Sequence, residues 1–138
     1  MNPYDEIDSL PERLSESEVL YWLDNREINW NHLNLIKEYS STTDQVISGW
    51  LNISVRTLRN YRKPDSKIKD NIKEHLLLLL SLYKHGINIF GSADSFNEWL
   101  NGENFFFDGE APSSLLHTIS GIRFVDSRLT GMEYGDNA

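Results

Sequence analysis

The sequence predicts an all-α protein of two parts. A helix-turn-helix N-terminal region is expected over residues 1–64 and a small helical domain over residues 65–138. Three observations point there. Apolar residues recur at helical spacing in several segments, and most of these open on a Ser or Thr suited to capping a helix. A window at Asp44–Lys63 has the pattern of two short helices joined at a tight turn. The 138 residues are 39% hydrophobic, with four Trp, six Tyr and six Phe, which suffices for a packed core.

The elements follow in order. Residues 1–14 read as a loose acidic lead with two prolines. Ser15-Glu16-Ser17-Glu18 has the form of a capping box, ahead of the apolar Val19, Leu20, Trp22 and Leu23. A second helix is expected from about Asn29 to Tyr39, on Trp30, Leu33 and Ile36, with Ser40-Ser41 breaking it. Thr42-Thr43-Asp44-Gln45 offers a capping box for a third. Asn52 ends that helix, and Ser54 caps the next. Pro64 disfavours helix at Lys63, so Lys63–Ser66 reads as a turn and the domain boundary falls there.

Ser66 is expected to cap a long helix running to about His85, ended by Gly86. Ile68, Ile72, Leu76, Leu79 and Tyr83 form one stripe, and Leu77, Leu78, Leu80 and Leu82 carry apolar character nearly all round. Such a helix is central to its domain or lies in a dimer interface, and both roles together are expected. Ser92 caps a short helix through Leu100, and Asn101–Asn104 is a turn. Phe105-Phe106-Phe107 follows as an extended segment, exposed or packed. Pro112 suits a first helical position leading Ser113–Thr118. Gly121 separates this from Ile122–Thr130, and Gly131–Ala138 reads as an irregular tail.

Composition narrows the function. With no cysteine, disulfides, thiolate metal sites and thiol catalysis are excluded. The acidic, polar N-terminus is unlike a signal peptide, and the aliphatic run Leu76–Leu80 is far too short to span a bilayer. A cytoplasmic protein with no membrane contact is expected. The net charge is −8, but its distribution matters more. Residues 54–73 hold seven basic side chains against two acidic ones, between two acidic arms. That block is either a phosphate-binding strip or a solvated helix face.

The stretch DQVISGWLNISVRTLRNYRK favours the strip. Ile47, Leu51, Ile53, Leu58 and Tyr61 fall at inward positions, Ser48 is the small residue where two helices touch, and Asn52 tolerates a left-handed turn. Ser54, Arg56, Thr57, Arg59, Asn60, Arg62, Lys63 and Lys67 are the candidate DNA-binding residues. Arg56 and Arg59 suit bases or adjacent phosphates, and Thr57 suits the backbone. Arg62, Lys63 and Lys67 suit phosphates, which position without specifying.

Further motifs lie beyond this window. Leu51–Tyr61 resembles the "isxRTLxRY" segment of Xre/MbcA/ParS-family antitoxins. Phe90-Gly91-Ser92 with Trp99-Leu100 resembles the family's "FGs…WL". Pro112–Leu116 with Gly121 resembles "P…LL…G", and Leu129 with Met132–Gly135 resembles "L..i.yG". The likeness covers about residues 45–136. It departs at Asn60, where the family often has Arg, and before about residue 30.

This resemblance implies a type II antitoxin whose C-terminal domain, over 65–138, binds and covers a cognate toxin and dimerises. The implied toxin consumes NAD or transfers ADP-ribose from it, as RES-like toxins do. It also implies operator binding for autoregulation, as a homodimer. Phe105, Phe106 and Phe107 are candidate toxin anchors, although two of them completing the core is the plainer expectation. Arg123, Arg128, Met132, Tyr134 and Gly135 complete the candidate toxin-binding set. The acidic C-terminal half either steers a basic pocket or keeps the chain soluble. The alternative is a stand-alone transcriptional repressor whose C-terminal half only dimerises. A protein-binding module with a vestigial helix-turn-helix is disfavoured by the basic block.

Catalysis, a cofactor and a metal site are not expected. His32, His75, His85 and His117 lack metal-ligand spacing and read as isolated structural histidines. Asp94 and Glu98 on a short helix read as solvated, and Ser114 with His117 lacks an orienting acid. There is no phosphate-cradling glycine loop.

Overall fold

The computed structural model describes residues 9–135. The acidic lead at 1–8 and the tail Asp136-Asn137-Ala138 lie outside that range. Among the described residues the secondary structure is entirely helical. The helices are α1 (Glu16–Asn25), α2 (Trp30–Ser40), α3 (Asp44–Leu51), α4 (Val55–Tyr61), α5 (Asp70–Phe90), α6 (Ala93–Asn101) and α7 (Ile119–Glu133). Two 3₁₀ turns, Phe105–Phe107 and Pro112–Leu115, link α6 to α7.

The caps explain most of the boundaries. Ser15 and Glu18 form the expected capping box at α1, and Asn29 with His32 forms another at α2. At α3 the cap is Thr43, whose hydroxyl accepts from Val46 N at 3.3 Å. Ser92 and Thr118 cap α6 and α7.

The expectations for the second half need correction at five points. Ser66 does not cap the long helix. Its hydroxyl donates to the carbonyls of Tyr61 and Lys63, closing the turn after α4, and α5 begins at Asp70. Gly86 does not end α5, which runs on to Phe90 and stops at Gly91 with φ 86°. Gly86 is instead a packing residue, because a Cβ there would overlap the Phe96 ring. The segment after Pro112 is a short 3₁₀ turn rather than a helix to Thr118. Gly121 separates nothing, since it lies in the first turn of α7, where a Cβ would collide with the Leu115 carbonyl. Helix α7 also takes in Gly131–Glu133, because Leu129 is fully buried and Met132 packs on the core.

Helix α5 is the axis of the molecule. Helices α1, α2, α3, α6 and α7 all pack on it. Its apolar surface from Ile72 to Tyr83 is covered within one chain, so the central role holds. Little of α5 is left to form a dimer interface. One apolar cluster runs from Leu10 to Leu129 across position 64. Tyr83 Oη donates to Asn97 at 2.6 Å, and Asn97 Nδ2 donates to the Tyr39 carbonyl at 2.7 Å. This buried relay ties α5, α6 and α2 together, and burial pushes the Tyr83 phenol well above its ordinary value.

Residues Leu10–Leu14 form a strap over α5 and α7. Leu10 and Leu14 are buried. Ser81 donates to the Pro11 carbonyl at 2.6 Å, Arg123 to the Leu14 carbonyl at 3.0 Å, and Arg13 pairs with Asp126 at 2.9 Å.

Two glycines give opposite expectations. Gly121→Ala should cost about 2–3 kcal/mol, because the contact is with backbone that cannot step aside. Gly49→Ala, in helix α3 with open space around it, should gain about 0.5–1 kcal/mol from helix propensity and lost unfolded-state entropy. Urea denaturation of both variants checks the pair.

Candidate functional site

The first candidate surface is the helix-turn-helix. Ile47, Leu51 and Leu58 are fully buried between α3, α4 and the body. Asn52 takes the left-handed conformation, φ 57°, that the turn requires. Ile53 N then donates to Ser48 O at 3.1 Å, turning the chain into α4. Ser54 caps α4 by accepting from Thr57 N at 3.0 Å.

Of the eight candidate DNA-binding residues, Ser54, Arg56, Arg59, Asn60, Lys63 and Lys67 are exposed, and Thr57 is half-buried. The hydroxyls of Ser54 and Thr57 are engaged with each other at 3.0 Å. Arg62 differs. Its guanidinium lies 2.8 Å from Asp44, and its Nε and Nη2 are buried without a hydrogen-bond partner. Asp44 also accepts from Lys37 Nζ at 2.6 Å and lies 3.5 Å from Arg59 Nε. This carboxylate braces α4 against α2 and draws on two of the cations expected to meet phosphate. Asp44 had no sequence signal beyond opening a helix, because its partners come from two other segments, α2 and the end of α4.

The helix-turn-helix is also anchored to the C-terminal half. Asn52 Nδ2 donates to the His117 carbonyl at 2.8 Å, and His75 Nε2 donates to the adjacent Leu116 carbonyl at 2.8 Å. Burial lowers the His75 pKa, which keeps the ring neutral and its Nε2–H available to that carbonyl.

The second candidate surface lies on the outer face of α7 and the turn before it. A 3₁₀ turn spreads successive side chains around its axis, so three Phe in a row cannot share one side. Phe107 enters the core at 6% exposure, edge-on to Trp99 and Phe124, while Phe106 is 44% and Phe105 88% exposed. One Phe therefore completes the core, not two. The Arg128 guanidinium lies 3.5 Å from the centroid of the Phe106 ring, a cation–π contact. Phe124, Ser127, Arg128 and Gly131 recur at helical spacing on α7 and line a shallow groove of about 220 Å³ with Phe106 and Phe107. Tyr134, 85% exposed, stands at the end of α7. Gly135 follows at φ 96°.

The remaining candidate toxin-binding residues divide differently. Met132 is half-buried on the core, and Arg123 is held by the strap through Leu14. Phe124, exposed on α7, was missed in the sequence. Its i, i+3, i+4, i+7 relation to Ser127, Arg128 and Gly131 marks the stripe.

The Asp44 brace has a signature in stability. Hydrogen bonding from Lys37, with Arg62 adding to it and burial opposing, lowers the Asp44 pKa from 3.8 to about 2. A depressed carboxylate stabilises the fold fully above its unfolded value and loses that contribution as pH falls through the folded one. Asp44→Asn should cost about 1–2 kcal/mol at neutral pH, a buried-pair loss discounted for the exposed Lys37 and Arg59. That difference from the unaltered chain should vanish as pH drops from near 4 to about 2. Denaturation midpoints across that range test it.

Two comparisons bear on these surfaces. No curated protein matches the chain. Residues 85–135 match the family described as the antitoxin Xre/MbcA/ParS C-terminal toxin-binding domain. The matched segment spans the end of α5, all of α6 and α7, and the whole aromatic surface. No single helix among the described residues is long and apolar enough to cross a membrane. Over residues 85–135, the chain is similar to the C-terminal toxin-binding domain of Xre/MbcA/ParS antitoxins.

Proposed function

We propose that this protein is the antitoxin of a type II toxin–antitoxin pair, and that it neutralises its toxin through the aromatic surface of α7 and the preceding turn. One observation carries the reading. The segment matching a toxin-binding domain also holds four of the five exposed aromatics among the described residues. Phe105, Phe106, Phe124 and Tyr134 offer rigid apolar area, with Arg128 among them and Asp108 and Glu110 beside them. Aromatic and Arg anchors within a polar rim make up the energetic centre of protein interfaces. The partner in this reading is a RES-like toxin, or one similar to ADP-ribosyltransferases, that consumes or transfers from NAD. The action is to cover the toxin's active site, with no chemistry by the antitoxin.

The second part of the proposal is autoregulation in the cytoplasm. The α3–α4 unit presents Arg56, Arg59, Asn60, Lys63 and Lys67 to solvent, which suits operator DNA read by a homodimer. A stand-alone repressor is the alternative, and the toxin-binding family match disfavours it.

Co-expression with the adjacent reading frame tests the first part. The neighbour alone should arrest growth, and the pair should grow and co-purify. A harmless neighbour contradicts the antitoxin reading. Phe105→Ala and Tyr134→Ala should each weaken the complex by about 2 kcal/mol, a hot-spot loss, with unchanged thermal stability. Arg56→Ala and Arg59→Ala should each lower affinity for the upstream DNA by about 1–3 kcal/mol in gel-shift titrations. Unchanged binding in both would remove α4 as the reading helix.

A further inference from the structure

The His85 ring faces carboxylates on both sides. The side chain is 1% exposed, near the C-terminal end of α5. Nδ1 lies 2.6 Å from Asp126 on α7, and Nε2 contacts Glu133 in the last turn of α7. Glu12, on the strap, completes the group: ligand atoms of Glu12, His85 and Glu133 all lie within 4.8 Å of one another. Asn88 Nδ2 donates to Glu12 Oε1 at 2.9 Å and fixes that carboxylate on the cluster.

Charge sets what this geometry requires. Asp126 accepts from Nδ1–H, which leaves Nε2 pointing at Glu133 and Glu12. A bare nitrogen lone pair facing two carboxylates is repulsive, so the arrangement favours a proton or a cation between Nε2 and these carboxylates. The arrangement is that of a ligating histidine whose other nitrogen is held by a carboxylate, which fixes the tautomer and raises the ring's basicity.

We propose that Glu12, His85 and Glu133 form a binding site for a divalent transition cation of the zinc class. An imidazole with two carboxylates suits zinc-like ions, whereas magnesium and calcium take all-oxygen shells. The cation takes the place of the Nε2 proton, which is released to solvent, and His85 stays bonded to Asp126 through Nδ1. Glu133, 39% exposed, swings outward to make room, and a water completes a four-coordinate shell. The exposed part of Glu133 gives the ion its access from solvent. The bound ion joins three distant segments: the strap, the central helix and the end of α7 next to Tyr134. The site concerns the free chain and stands whether or not the toxin reading holds.

Isothermal titration of zinc chloride into the metal-stripped full chain, in buffers of different ionisation enthalpy, tests this. One ion should bind per chain with release of about one proton. Glu133→Gln and Glu12→Gln, both on partly exposed side chains, should keep the fold by circular dichroism and weaken zinc binding at least about tenfold. Excess magnesium should not compete. Absence of saturable binding overturns the proposal, as does equal affinity in both folded variants. So does an Nε2 proton that persists by nitrogen NMR at saturating zinc, which would leave the proton as the only occupant.

Discussion

Covering helix α5 is the constraint on which the other elements depend. Over its 21 residues it carries apolar side chains on every side between Ile72 and Tyr83. Each Leu buried there contributes about 1.5–3 kcal/mol relative to exposure. No single neighbour can supply that cover, so α1, α2, α3, α6 and α7 surround the helix. Gly86 lets the Phe96 ring lie directly against its backbone. The strap Leu10–Leu14 fills the remaining gap between α5 and α7.

Sharing one core has a mechanical consequence. The helix-turn-helix is not tethered by a loose linker. Its turn residue Asn52 holds the His117 carbonyl, and α5 holds the next carbonyl back along the chain through His75. The 116–118 segment therefore touches the turn of the helix-turn-helix, the central helix and the first turn of α7. The Asp44 brace fixes α4 on the other side. The α3–α4 unit and the aromatic surface are set by the same packed body, at separate places on it.

The sequence was most legible where local rules decide. Ser15, Ser54 and Ser92 cap the helices they were expected to cap, and Asn52 adopts the left-handed turn its chemistry permits. It was least legible where distant residues decide. Gly86 and Gly121 looked like breaks because glycine often is one, yet both are packing residues whose contacts, Phe96 and Leu115, are set by the tertiary fold. Ser66 looked like a cap, but its hydroxyl serves the preceding turn. Phe105–Phe107 could not be divided into core and surface until the 3₁₀ geometry set one ring inward. The cluster around His85 left no spacing signal, since its members come from positions 12, 85, 126 and 133.

The two surfaces carry the central claim: the aromatic face of α7 engages the toxin while the basic face of α4 stays available to DNA. Hydrogen–deuterium exchange on the chain, alone and in complex with the product of the adjacent reading frame, tests this most directly. The account predicts added protection over residues 105–109 and 124–135, with residues 54–63 unchanged. Protection confined to 54–63, or none over α7 in a stable complex, would contradict it.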